Sequence, residues 1–266
     1  MATYVFSDVH GHHRTLERLL ESVSPSEEDE IWVLGDMVDR GPDPVAVMRT
    51  CKGLAHGHVI MGNHEAMMLD CFNNPDDDTL YFQWTMNGGG ITQQGLLKAD
   101  KDERFELIDW VSELPLNGHI TVADKTYLLV HAGLRSLNFS ARSRWTDVTM
   151  DALLRYQNTE DVLWIRDEFW GQPTGFVDEL GNGPIVIAGH TPVPYVEELA
   201  DVYDRPARNE EGLCQVMHLG ATDATGGVAD RWAIDCGAAG GANWGRIAMV
   251  RLDDGEEFYA EVLEDE

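Results

Sequence analysis

The sequence predicts an α/β protein built on a βαβαβ core, and three observations carry that prediction. Short apolar runs recur along the chain, each closed by a turn rich in Gly, Asp, Asn or His. The stretches between the first three runs carry apolar residues at helical spacing, the pattern of a largely parallel sheet. At 266 residues, 43% hydrophobic and 25% charged, the chain has the length and apolar content to bury the core of one large domain.

The elements follow in order. "TYVF" (residues 3–6) is strand-length and rich in residues that favour strands. Leu16, Leu19, Leu20 and Val23 then recur at helical spacing, and "IWVL" before Gly35 forms the second strand. "RGPDP" is a helix-start signal for the segment holding Val45, Val47 and Met48, and "HVIM" before Gly62 is the third strand. "TYLLV" before His131 and "PIVIA" before Gly189 supply later strands. Between early and late strands lie "AMMLDCF", an acidic loop at Asn73 to Asp78, "YFQWTMNGGG" and an amphipathic stretch near Phe105 to Leu114. These read as a helical cap over about residues 66–118. Residues from about 195 to 231 read as a long insertion, charged and Gly-rich, with one short apolar run at Leu213 to Leu219. A single domain over 1–266 is expected, with neither an internal repeat nor a separable linker.

Composition narrows the partners. A formal charge of −28 repels a phosphate backbone, and no basic stripe offsets it, so nucleic acid is not an expected partner. No window approaches the ~18 consecutive apolar residues of a membrane span, and "MATYVFSDVHG" lacks the basic start and apolar core of a signal peptide. A cytoplasmic location without membrane contact is expected. Among the 19 basic residues four are Lys and fifteen Arg, which fits either a saline habitat or an ordinary acidic enzyme. Cys51, Cys71, Cys214 and Cys236 show no CxxC spacing, which predicts reduced, partly buried thiols rather than a disulfide framework or zinc ribbon.

Every polar cluster falls at the carboxyl end of a predicted strand, where parallel sheets bind ligands. In "SDVHGHH", Asp8 and His10 stand two apart and project to the same side of an extended segment, offering one oxygen and one nitrogen donor. "GDMVDRG" brings Asp36, Asp39 and Arg40 between flanking glycines that allow close backbone approach. "GNHE" contributes Asn63, His64 and Glu65, "HAG" contributes His131 and "GHT" contributes His190. Singly, each has an ordinary structural explanation: a hairpin, a capping histidine, a hydrogen-bonded imidazole. Together they place four histidines and three oxygen donors on one sheet edge. Imidazole and oxygen donors without thiolates suit Mn, Fe or Zn in a hydrolytic site.

"SDVHG", "GDMVDRG", "GNHE", "HAG", "LWIR", "GHT" and "AIDCGAAGG" resemble, in order, the signature set of the phosphoprotein phosphatase family of binuclear metallophosphoesterases. The bacterial and bacteriophage-lambda-type branch fits best. The likeness runs from Tyr4 to about Thr191 and resumes from about Ala233 to Leu252. It implies a calcineurin-like metallophosphoesterase fold, a central β-sandwich of mixed sheets flanked by helices. It further implies two divalent ions, Mn²⁺ first and Fe or Zn as alternatives. One ion falls to Asp8 and His10, the other to Asn63, His131 and His190, and Asp36 bridges them. A metal-bridging hydroxide then attacks phosphorus in line, with no phosphoenzyme. Arg40 and Arg166 match the phosphate-clamping arginines, and His64, oriented by Asp39, matches the residue that protonates the leaving alkoxide. Asp235 is expected to support His190. His12 and His13 are expected to be surface or supporting residues, and Trp84, Asn87 and the glycines at 88–90 to pack the cap on the sheet. Ser7 departs from the Gly common at that position, and the insertion lies where it bears on substrate choice.

The reading placed first is a metal-dependent phosphomonoesterase, a serine/threonine and also tyrosine protein phosphatase acting on phosphorylated proteins, peptides or small phosphoesters. The alternative on the same fold is a bis(5'-nucleosyl)-tetraphosphatase, a branch that tends to replace Asp39 and to carry Asp at the position of Glu65. A cyclic nucleotide phosphodiesterase fits less well, because "DRG" is not its habit. A catalytically silent phosphate-binding protein is opposed by the filled set of ligand positions. Oligomeric state is not fixed by these residues.

Overall fold

The computed structural model describes all 266 residues. The chain opens with β1 (Thr3–Phe6), α1 (His13–Val23), β2 (Glu30–Val33), α2 (Pro44–Lys52) and β3 (Gly57–Val59). Four helices follow without a strand: α3 (Asn63–Asn73), α4 (Asp78–Met86), α5 (Gly89–Lys98) and α6 (Lys101–Ser112). Then come β4 (Asn117–Val122), β5 (Lys125–Val130), α7 (Asp147–Arg155), α8 (Thr159–Trp164), α9 (Asp167–Trp170), β6 (Ile185–Ala188) and α10 (Val193–Leu199). The chain closes with β7 (Met217–Leu219), β8 (Arg231–Ala233), β9 (Arg246–Arg251) and β10 (Glu256–Glu261).

The strands form two five-stranded sheets, ordered β10-β9-β1-β2-β3 and β4-β5-β6-β8-β7. β1, β2 and β3 are parallel, and β9 and β10 join antiparallel at the β1 edge. In the second sheet β5, β6 and β8 are parallel, with β4 and β7 antiparallel at the two edges. The predicted βαβαβ core is therefore present, inside a sandwich of two mixed sheets.

Strand alternation explains why two sheets face each other. In β1, Val5 points into the core shared with Leu128, Val130 and Ile187 of the second sheet, while Tyr4 and Phe6 point to the helices. In β9, Ala248 and Val250 join the first core and Ile247 and Met249 the second. The helix-side core takes Leu16 and Leu19 of α1, Val45 and Met48 of α2, and Leu107 and Val111 of α6. The first sheet is thus apolar on both faces, as a sheet covered on both sides must be. All parallel strands end on one edge, and the turns that leave them carry the polar clusters.

Candidate active site

The turns after β1, β2, β3, β5 and β6 supply nine of the ten sequence-predicted residues, and the junction of α8 and α9 supplies the tenth, Arg166. Six of them, Asp8, His10, Asp36, Asp39, Arg40 and His190, adopt positive φ between 45° and 70°. That region is unfavourable for residues with a Cβ and persists only where surrounding contacts fix it. The contacts are plain. His10 N donates to Asp36 O (2.9 Å), Gly11 N to Met37 O (2.9 Å) and Gly41 N to His10 O (2.8 Å), which ties the first two turns together. The buried Glu65 carboxylate accepts from the amides of Asp36 (2.9 Å), Met37 (2.8 Å), Val38 (3.2 Å) and Gly62 (2.9 Å). Glycine is required where turns touch side chains: a Cβ on Gly62 would overlap Asp36 Oδ1, and one on Gly189 would overlap Asp8 Oδ2.

Asp36 lies at the centre. Its Oδ2 is 3.4 Å from His10 Nε2 and its Oδ1 is 3.4 Å from His131 Nε2. Two clusters of donor atoms, His10–Asp36–His64 and Asp36–His131–His190, each lie within 4.8 Å and share this one carboxylate. Asn63 Oδ1 stands 2.9 Å from His131 Nε2 and 3.0 Å from His190 Nδ1. His10 Nδ1 meets the Val38 carbonyl (3.0 Å) and His131 Nδ1 the Leu34 carbonyl (2.7 Å). A carbonyl only accepts, so Nδ1 carries the proton and each Nε2 presents a lone pair to the cluster. Asp8 accepts the His190 amide through both oxygens (3.1 and 3.0 Å).

The electrostatics suit a cation. Burial pushes Asp8 and Asp36 well above the usual carboxylate range, and repulsion from Asp235 and from Asp8 respectively adds to it. Burial also lowers His10, His190 and His131, the last to about 3, so these imidazoles are neutral. Buried oxygen donors in need of compensating positive charge, beside neutral ring nitrogens, are the donor set a divalent metal takes.

A cleft of about 240 Å³ opens over these groups, lined by His10, Asp36, Arg40, Asn63, His64, Asn87, Trp164, Arg166, His190, Pro192 and Tyr195. Arg166 Nε donates to His190 Nε2 (3.1 Å), and its rival partner Asp161 is taken by Arg135 at 2.7 and 2.8 Å. Arg40 Nη2 donates to His64 Nε2 at 2.9 Å. His64 Nδ1 donates to Asp39 Oδ2 at 2.7 Å, and both side chains are buried. Burial lowers His64, with Asp39 opposing that effect.

Two supporting residues escape the sequence reading. Trp84 Nε1 donates to Asp39 at 3.0 and 3.2 Å, and Thr92 Oγ1 donates to Asp39 Oδ1 at 2.6 Å while accepting the Asp39 amide at 2.9 Å. Trp84 does pack within the core, as expected, but its indole also fixes a site carboxylate. The available signal was chemical: a buried indole N–H needs an acceptor. Glu65 likewise entered without a role, as part of "GNHE" and as a branch marker, whereas it organises the turn after β2.

One expectation is corrected and two are narrowed. Asp235 makes no bond to His190; its Oδ1 accepts from Gly237 N (2.8 Å), its carbonyl accepts from Val193 N (3.0 Å), and burial pushes its carboxyl up to about 6. The 195–231 segment contributes Tyr195 alone to the cleft lining. The rest contains the edge strand β7 and packs elsewhere, with Cys214 N bonding Trp244 O and Val216 N bonding the Tyr259 hydroxyl. His12 is buried as the residue preceding α1, whereas His13 reaches Thr50 Oγ1 (3.0 Å). A larger hollow of about 470 Å³, around His218 and Trp232 near the starts of β5 and β6, gathers none of the ten residues. The four cysteines are free, and no helix is long and apolar enough to cross a membrane.

A family model described as calcineurin-like phosphoesterase matches residues 1–216. A symmetrical bis(5'-nucleosyl)-tetraphosphatase of Proteus mirabilis is 35% identical over 69% of this chain and 63% of its own length. The chain thus spans less than two thirds of that relative. A second protein of that name, from Erwinia tasmaniensis, is 33% identical over 97% of this chain and 96% of its own. Among solved structures, a protein serine/threonine phosphatase from Saccharomyces cerevisiae superposes with a TM-score of 0.54 at 15% identity, covering 99% of this chain and 81% of the other. That likeness is one of fold.

Proposed function

The chain belongs to the calcineurin-like phosphoesterase family, hydrolases that work at a divalent metal centre, and from that premise we propose that it cleaves bis(5'-nucleosyl) tetraphosphates symmetrically into two nucleoside diphosphates. One observation carries the chemistry: Asp36 belongs to both donor clusters, and both guanidiniums, Arg40 and Arg166, line the cleft above it. The substrate class rests on the relatives, above all the Erwinia tasmaniensis protein, whose likeness runs nearly end to end. Their names favour this reading over the protein phosphatase that the sequence motifs put first.

Asp8 and His10 would hold one divalent ion, Asn63, His131 and His190 the other, and Asp36 both; Mn²⁺ is the first choice. When bound, the metal pair supplies Lewis acidity and the nucleophile for in-line attack on phosphorus. The protein's own groups do the rest. Arg40 and Arg166 grip equatorial phosphate oxygens in bidentate fashion and gain strength as charge builds there. Turning to phosphate, Arg40 leaves His64 Nε2, which is then free to carry a proton for the leaving oxygen. Asp39 steadies the resulting imidazolium through Nδ1–H. His64 falls within a donor cluster, but its Nδ1 is committed to Asp39 and its Nε2 stands 4.0 Å from Asp36, farther than the 3.4 Å of His10, so it serves as acid rather than ligand.

The Asp39–His64 pair favours a second reading, phosphomonoester hydrolysis on serine or threonine. An alkoxide leaves poorly without a proton, whereas a nucleoside diphosphate leaves as a stable anion. Purified protein with Mn²⁺ decides between them. ADP as the sole nucleotide product from diadenosine tetraphosphate, at a kcat/KM above that for a phosphoserine peptide, is expected. The reverse order of kcat/KM, or ATP with AMP as products, overturns the proposal.

A further inference from the structure

The cleft of about 240 Å³ is smaller than the ~300–1,000 Å³ usual for sites that enclose a drug-sized ligand. It has room for the phosphates around the scissile bond, so a nucleoside must lie on its rim. On the rim the residues divide sharply. Trp164 packs edge-on against His190 at 5.9 Å between ring centres, so its indole is committed to the site's own structure. Tyr195 is 59% exposed, belongs to neither hydrophobic core, and is the one cleft-lining residue with a large aromatic surface open to water.

Its backbone is anchored. Tyr195 sits in the first turn of α10, where its amide bonds the Pro192 carbonyl at 2.8 Å and the neighbouring Val193 amide bonds Asp235 O at 3.0 Å. Gly189, His190 and Thr191 lead through Pro192 into that helix, so the ring is tied by five residues of chain to His190. An exposed aromatic on a fixed backbone costs little entropy to use as a platform. Every base has a π-face, and stacking on one such ring is worth roughly five- to 150-fold in affinity.

Resting on the tetraphosphatase reading, we propose that Tyr195 is the specificity residue that stacks a nucleobase of the dinucleoside polyphosphate at the rim of the cleft. The two cleft arginines, Arg40 and Arg166, serve the phosphates, and a neutral base gains nothing from the net charge of −28, so an exposed aromatic face is a suitable partner for it.

The test compares Tyr195→Ala, Tyr195→Phe and Tyr195→Trp with the unaltered chain, loaded with Mn²⁺. The measurements are KM and kcat for diadenosine tetraphosphate and the inhibition constant of inorganic pyrophosphate, which has a phosphate arm and no base. Tyr195→Ala should raise KM about tenfold with kcat within about twofold, while pyrophosphate inhibition stays close to that of the unaltered chain and Phe or Trp keeps KM low. An unchanged KM in Tyr195→Ala, or equal losses for diadenosine tetraphosphate and pyrophosphate, overturns the platform and leaves the tetraphosphatase reading standing. Unaltered protein that hydrolyses phosphoserine peptide but not diadenosine tetraphosphate overturns the reading and the platform with it.

Discussion

His64 and Asp39 form a buried pair, Nδ1 to Oδ2 at 2.7 Å, and the His64 amide bonds the carboxylate shared by both donor clusters at 3.1 Å. Removing the proton carrier should matter in proportion to how badly the leaving group needs a proton. His64→Asn is expected to lower kcat on a phosphoserine peptide by about 10²–10⁴-fold, the usual worth of general acid catalysis. On p-nitrophenyl phosphate or diadenosine tetraphosphate the loss should be much smaller, with metal content unchanged. Equal losses on all three substrates would show that His64 holds structure or metal instead of a proton.

Asp36 is the only residue in both clusters, 3.4 Å from His10 on one side and from His131 on the other. Asp36→Asn removes the shared negative charge, so elemental analysis should find bound metal reduced on both sides, and activity lost. Chelation of the unaltered protein should lower its melting temperature, because it leaves Asp8, Asp36 and their neighbour Asp235 buried without compensating charge. A melting temperature indifferent to chelator would exclude a structural contribution from the metal.

Trp84 sits two elements away from the sheet edge, yet its indole donates to Asp39 at 3.0 and 3.2 Å. Trp84→Phe keeps most of the packing and deletes the donor. Losing a hydrogen bond to a buried carboxylate costs about 1.5–3 kcal/mol. We expect that loss in denaturant unfolding, together with a fall in kcat that is larger on phosphoserine than on p-nitrophenyl phosphate. A stability loss with an unchanged ratio of the two rates would confine Trp84 to packing.

Nine of the ten site residues were legible because they stand in turns that follow short apolar runs, and strand ends concentrate ligands in a parallel sheet; Arg166, at the junction of α8 and α9, was legible only through the likeness of "LWIR" to a family motif. The support beneath them was not. Glu65 bonds backbone amides of the turn after β2, and Thr92 reaches Asp39 across 53 positions of sequence. Such contacts depend on how α5 docks, which no local spacing encodes. The same holds at the sheet edges. β4 and β7 of the second sheet and β10 of the first are edge strands whose alternation is blurred by Gly118, His218 and Glu257, so their pairing emerges only from the fold. The insertion was only partly legible for a related reason: sequence position after "GHT" suggests a place at the mouth, which Tyr195 takes, but β7 pairs back onto β8 and carries the rest of the segment to the sheet edge.

The charge of −28 predicts its own test. Like charges spread over a surface oppose the compact state, and salt shortens their reach to about 10 Å at 0.1 M and 3 Å at 1 M. Melting temperature should therefore rise as potassium chloride increases from 0.05 to about 1 M. A flat or falling curve would mean that local pairs such as Arg49–Glu103 and Arg14–Asp265, which salt weakens, outweigh the net repulsion.

Asp204 supplies a pH dependence remote from the metal ligands. Burial alone would raise its carboxyl, but hydrogen bonds from the side chain and amide of His218, with the charge of Arg205, outweigh that and bring it to about 2. A carboxyl depressed on folding binds protons more weakly in the folded chain than in the unfolded one, where it titrates near ~3.9. Its stabilisation is therefore complete above about pH 4 and disappears as pH falls through about 2. Asp204→Asn should be less stable than the unaltered chain at pH 7, and the two melting temperatures should converge between pH 4 and 2. Because Asp204 ties β7 to the rest of the insertion through the His218 amide at 2.9 Å, the loss should appear in hydrogen exchange at residues 202–219 while the cleft keeps its protection. Exchange that rises equally in the turns after β1 and β2 would instead show that the insertion and the catalytic edge unfold as one unit.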